Sequence, residues 1–129
     1  FKVGDIVKFQ INICNSGNTP LRNVRISDTM TNLTDVAFVR TINCTGQFAV
    51  TGASSFTVNG LGDVTNNPNL PCSIVVSGRI VKPVQQTSAY RFRNRAEISS
   101  DNFSDYTVAT PYYLFVDSGS TPNRREVAP

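Results

Sequence analysis

Apolar and polar residues alternate one for one along segment after segment of this chain, and nowhere does the three-to-four-residue recurrence of a capped helix take over. In the first such segment Val7, Phe9, Ile11 and Ile13 point one way and Lys8, Gln10, Asn12 and Cys14 the other, the pattern of a strand with one buried and one wet face. Asn15-Ser16-Gly17-Asn18 then turns the chain, because Gly and Asn accept positive φ most readily. Val24 and Ile26 carry the core into a second strand expected to end near Asp28, and Val36–Ile42 reads as the third. Short strands follow at Phe48–Val50 and Phe56–Val58, then a loop at Gly60–Pro71 and a β-branched strand at Ser73–Val81. Tyr90–Ile98 places Phe92, Asn94, Ala96 and Ile98 on one face, and Tyr106–Thr110 and Tyr112–Val116 end the series. Pro20, Pro68, Pro71, Pro83 and Pro111 fall at or between strand ends, where a missing N–H does little harm. Short strands at roughly 8–12-residue spacing predict an all-β sandwich or barrel.

The 129 residues allow one domain, and 40% hydrophobic with 16% charged content describes a folded chain. Histidine is absent, which removes the commonest general base and metal ligand; an enzyme is not expected. The net charge of +3 is scattered except at Arg91-Arg93-Arg95 and Arg124-Arg125. The first set alternates along a strand and reads as a solvated face, with a nucleic-acid or anionic-glycan surface as the sharper alternative. No aromatic-basic module accompanies it, so no nucleic-acid partner is expected. No segment approaches the roughly 20 apolar residues of a membrane span, so no membrane insertion is expected. The first residue is Phe and no signal peptide precedes it, which suggests a mature or excised product. Abundant Asn, Ser, Thr and Gly with sparse Lys and Glu point to an extracellular or cell-surface β-protein.

The two ends do not match. The chain opens on Phe1-Lys2-Val3-Gly4-Asp5 and runs directly into a strand, yet closes on a fresh apolar strand at Tyr112–Val116 and a polar tail, Ser118–Pro129. Set before the head, the tail supplies a missing first strand. Residues 1–111 are then the sandwich, and 112–129 a surplus strand and connector to the next copy. The connector reaches at most about 40 Å. Tyr112, Leu114 and Val116 form one face of the surplus strand and Tyr113 and Phe115 the other; the first three are the expected subunit–subunit anchors, and the plainer alternative is a last strand of this same sandwich.

Val3-Gly4-Asp5 through Asn15-Ser16-Gly17-Asn18, then Pro20-Leu21-Arg22-Asn23-Val24 to Ser27-Asp28-Thr29, resembles the DUF11 conserved-repeat domain. Phe9 stands at that family's usual Tyr, and Asn94-Arg95-Ala96-Glu97-Ile98 resembles its terminal motif. The resemblance implies an immunoglobulin-like antiparallel β-sandwich of about seven to nine strands, as found in tandem arrays on prokaryotic surfaces. It also implies an apolar strand before Gly4-Asp5, which Leu114 and Val116 would supply from another copy. Some surface sandwiches join a strand Lys to an Asn covalently, but Asp117-Ser118 stands where that Lys would sit and Lys8 faces outward. Asn94 is instead expected to be a buried amide bonded to a loop backbone.

Three cysteines permit one disulfide. Cys44–Cys72 is preferred because both lie at strand ends bordering the middle region, with Cys14–Cys44 the runner-up; Cys14 is left as a free or intersubunit thiol. No spacing suggests zinc. Asn32, Asn43 and Asn102 begin glycosylation sequons. Asp101, Asn102 and Asp105 read as a polar turn before a calcium loop, and Asp5, Asp28 and Asp35 as turn-capping carboxylates. Neither metal nor cofactor is expected. The chain therefore reads as a structural subunit or tandem repeat of an extracellular filament, stalk or surface array, its partners being copies of itself joined head to tail. The alternative is an adhesin module that binds glycan or a host protein through loops such as Gly60–Pro71.

Overall fold

A computed structural model of the chain describes residues 1–83 and 90–117. Among these there is no helix, and the strands form two antiparallel sheets packed face to face, an immunoglobulin-like β-sandwich. The smaller sheet contains β1 (Ile6–Ile13), β6 (Cys72–Ile80) and β3 (Leu33–Ile42), in the order β1-β6-β3. The larger contains β4 (Gln47–Gly52), β5 (Ser55–Asn59), β2 (Arg25–Thr31), β7 (Arg91–Ser99) and β8 (Tyr106–Ala109), in that order, and β9 (Tyr113–Leu114) also pairs with β7.

Alternation decides which side chains meet between the sheets. Phe9, Ile11 and Ile13 of β1 and Ile74, Val76 and Ile80 of β6 face Ile26 and Met30 of β2, Phe56 and Val58 of β5, and Phe92 and Ala96 of β7; all are buried. Each large side chain so placed stabilises the fold by about 1.5–3 kcal/mol before ordering costs. Gly78 interrupts the β-branched run of β6 because a Cβ there would stand 2.8 Å from the Met30 sulfur.

Two expected boundaries move for identifiable reasons. The third strand begins at Leu33 instead of Val36, because a bulge between Thr34 and Ala37 breaks the alternation and holds Asp35 at φ 54°. The second strand runs on to Thr31, so Asp28 is interior and 1% exposed instead of capping a turn. Val24, Ile26, Asp28 and Met30 share one period-2 face, and the geometry of the strand carries the carboxyl inward with its neighbours. Asp5 does close a turn, its Oδ2 accepting from the Lys2 amide at 3.0 Å.

Cys44 and Cys72 are joined, with their Cα atoms 5.3 Å apart. The bond ties the end of β3 to the start of β6. On the same flank Phe38 meets Phe48 at 5.8 Å and Phe48 meets Phe56 at 4.8 Å, so an aromatic row bridges the β3 edge to β4 and β5. Among the described residues the opposite flank has no disulfide, and its aromatics, Phe1, Phe9, Phe92, Tyr113 and Phe115, cluster where the two ends of the chain meet.

Candidate functional site

Among the described residues, that opposite flank is bounded by β1, which pairs only with β6, and by β8, which pairs only with β7. No ladder between described residues joins these two edges, and a groove runs between them. One stretch, a cavity of about 310 Å³, is lined by Phe9, Ile11, Asn94, Ala96, Val108 and Thr110 among others. A second, of about 490 Å³, is lined by Ile13, Cys14, Leu21, Ile98 and Tyr106. Asn12 and Val108 border both, so the two are continuous. The floor is the apolar core itself, seen from the side. Two free sheet edges flanking such a floor present unpaired backbone donors and acceptors to a strand-shaped ligand.

Polar groups lie at the floor. Asn94 is 4% exposed, and its Oδ1 has no hydrogen-bond partner. Its backbone is engaged by the residue after β8: Thr110 N donates to Asn94 O at 2.9 Å and Asn94 N to Thr110 Oγ1 at 3.1 Å. The side-chain bond to a loop that the sequence suggested is not made. Diagonally across the β2–β7 pair, Asp28 shares the same inner face, and neither of its carboxylate oxygens has a partner. Burial pushes the Asp28 carboxyl up to about 7, against a smaller opposing pull from the Asn94 amide nearby. Asp28 is thus neutral in acid and ionises near neutrality, inside the core.

The C-terminal strand sits at one end of this flank, on its own sandwich. Beyond Thr110 and Pro111 it continues the course of β8 along β7 after a one-residue slip, with Ala109 opposite Arg95 but Tyr113 opposite Phe92. Val3 N donates to Val116 O at 2.9 Å and Val116 N to Phe1 O at 3.1 Å. The slip decides which side chain anchors the strand. Phe115 is 2% exposed and stacks on Tyr90 at 5.3 Å, whereas Leu114 and Val116 are half-buried and Tyr112 is 50% exposed. Within its own sandwich the strand's buried side chain is Phe115, and the Tyr112-Leu114-Val116 face is exposed or half-buried. The segment from Ser118 onward lies outside the described residues.

The other expected residues separate cleanly. Cys14 is an exposed free thiol at the far end of the groove. Asn32 donates its amide to Arg91 O at 2.7 Å. Asn102 bridges two loops, accepting from Arg22 N at 2.9 Å and donating to Pro20 O at 2.8 Å. Asn43 is exposed, and its amide makes one long contact, 3.4 Å to Pro71 O; of the three sequon asparagines it is the least committed. Asp101 holds Arg25 at 2.8 Å and the Asn23 amide, which makes this turn a staple between loops; these partners hold its carboxyl below the usual range. The Gly60–Pro71 loop is pinned, with Leu61 and Val64 buried and Asn67 bonded to the Asn15 amide at 2.6 Å and to Ile13 O at 3.2 Å. Among the described residues no group of three or more His, Cys, Asp or Glu is gathered as a metal site, and no helix is long and apolar enough to cross a membrane.

No protein-family model matches the chain, and no curated protein matches it. Among solved structures the chain is similar to ACE19, the collagen-binding subdomain of the Enterococcus faecalis surface protein ACE. The TM-score is 0.45 at 9% identity, over 81% of this chain and 84% of that one. It is also similar to part of a family 123 glycoside hydrolase from Clostridium perfringens, with a TM-score of 0.43 at 16% identity. That likeness covers 89% of this chain but only 22% of the hydrolase. At these identities neither likeness reaches past the fold.

Proposed function

We propose that this domain is a structural module of an extracellular or cell-surface assembly, of the DUF11-like kind, and that copies associate head to tail. In this reading the groove between β1 and β8 receives the C-terminal strand, Tyr112–Val116, of another copy. The observation that carries it is the open flank. The smaller sheet stops at β1, the groove beside β1 is floored by Phe9, Ile11, Ala96 and Val108, and no strand of the described chain covers it.

The energetics are near balance, as an exchangeable strand requires. Leaving its own seat exposes Phe115, at a cost of about 2–3 kcal/mol. Entry into the groove returns a similar amount for each apolar side chain covered, and adds a ladder with β1 that the closed chain lacks. Concentration then sets which state prevails. A head-to-tail contact that does not close on itself propagates as a fibre, and the same contact between neighbouring repeats of one polypeptide makes a stalk.

Locking the strand at home tests this. Lys2 and Val116 face each other across a parallel bridge, within reach of a disulfide. Lys2→Cys/Val116→Cys, built on Cys14→Ser, is expected to sediment as a monomer when oxidised and to assemble when reduced. Assembly by the oxidised chain, or a wild-type chain that stays monomeric at high concentration, would sink the proposal.

A further inference from the structure

The outer face of the larger sheet carries an independent feature. Arg91, Arg93 and Arg95 project from it along β7, two residues and thus about 7 Å apart. Their side chains form no ion pair among the described residues, whereas Arg22, Arg25, Arg79 and Lys82 are paired with Asp63, Asp101, Asp35 and Asp117. The acids of the surface are largely spent elsewhere. The cross-strand neighbours are Leu114 beside Arg91, Thr31 beside Arg93, and Thr29 and Ala109 on either side of Arg95. Arg91 and Arg95 are exposed and Arg93 is half-buried against Tyr112, so the three stand as a ridge beside the hydroxyls of Thr29 and Thr31 that ends at Glu97. The Tyr112 ring lies 4.5 Å from the Arg93 guanidinium carbon and orients it.

Folding asks only for polar residues at these positions, and three like charges in one row repel. A polyanion reverses the sign of that term, and planar guanidinium forks match carboxylate and sulfate oxygens bidentately. The Cys44–Cys72 disulfide places the chain in an oxidising compartment, where the anionic polymers are mainly acidic polysaccharides. From the ridge, its hydroxyl surround and this compartment, we infer that the β7 face binds a sulfated or carboxylated polysaccharide. The face is distinct from the β1–β8 groove, and the inference does not depend on strand exchange.

The test uses the whole chain on immobilised dextran sulfate, with neutral dextran as the blank. Wild type is expected to bind the first only, with affinity falling as salt rises. Arg91→Ser/Arg93→Ser/Arg95→Ser is expected to lose about tenfold or more and to flatten the salt slope by close to three contacts. Lys2→Ser/Lys8→Ser/Arg40→Ser removes the same charge from elsewhere and is expected to keep the affinity. Equal loss in both triples would reduce the effect to net charge and overturn the inference, as would duplex DNA displacing dextran sulfate at equal charge. Thermal melting reports folding of each variant, and Gln at the three arginine positions serves if the Ser triple melts early.

Discussion

The two flanks of the sandwich are built on opposite principles. At β3 and β4 a disulfide ties Cys44 to Cys72, the Phe38–Phe48–Phe56 row fills the gap, and Ser54 Oγ donates to Leu33 O at 2.6 Å. At β1 and β8 the edges stand apart over an apolar floor, with Asp28 and Asn94 unsatisfied close behind it. The closed flank adds a covalent tie where no partner is needed, while the open flank gathers its aromatics, Phe1, Phe9, Phe92, Tyr113 and Phe115, at one end. The open flank keeps core surface within reach of an incoming strand, with the orphaned polar atoms buried behind it, and such atoms are costly to leave as they are. Stability is thus expected to reside on one side and association on the other.

The comparison breaks most visibly at Phe56, which is fully buried on the closed side. Phe56→Ala is expected to cost about 3–5 kcal/mol of unfolding free energy in a urea titration. Cys44→Ser/Cys72→Ser opens a loop with a sequence separation of 28 and is expected to cost about 3–4 kcal/mol on chain entropy. If either change instead left stability intact while abolishing assembly, the division between flanks would be wrong.

Asp28 gives the open side its own signature, with the opposite sign. Its carboxyl is held at about 7 in the fold against an ordinary 3.8, so the folded state keeps its proton after the unfolded chain has lost it. Unfolding then releases a proton, and this group's contribution falls as pH rises from about 3.8 to about 7 and is flat beyond. Asp28→Asn is expected to raise stability at pH 8 by on the order of 2–4 kcal/mol and to change it little at pH 4. Parallel melting curves of the two proteins from pH 4 to pH 8 would expose a wrong assignment.

Much of this fold is legible in single residues, and the failures have physical causes. Val7 to Ile13 and Phe92 to Ile98 alternate cleanly, so β1 and β7 and their inward faces follow directly. The cysteine pairing follows from Cys44 and Cys72 sitting at strand ends. A carboxyl at Asp28 reads as a strand terminator, yet Met30 continues the alternation past it and the strand runs on to Thr31. Asp35 misled because a bulge hides inside an otherwise regular strand. Tyr112 to Val116 is apolar on both faces, so composition leaves its register open, and only the slip after Thr110 turns Phe115 inward. The groove is a relation between two edges far apart in sequence, and alternation along single strands does not reveal it.

The smallest effect on stability gives the sharpest test of association. Ala109 is exposed, lies at the end of β8 and borders the groove beside Thr110. A lysine there touches no core atom and is expected to shift unfolding by no more than about 0.5 kcal/mol. It does put a charged side chain beside Arg95 on the outer face of the β8 edge, whose backbone an incoming strand must meet, and lysines on free sheet edges keep them from pairing. Ala109→Lys is therefore expected to abolish assembly while melting like wild type. Thr107→Lys sits on the same exposed strand but does not border the first stretch of groove, and is expected to assemble normally. Both lysines leave the Arg91-Arg93-Arg95 ridge in place, so dextran sulfate binding survives in each. Wild-type assembly by Ala109→Lys would mean that the strand enters elsewhere, with Phe115 exchanged between copies at its own seat as the remaining route.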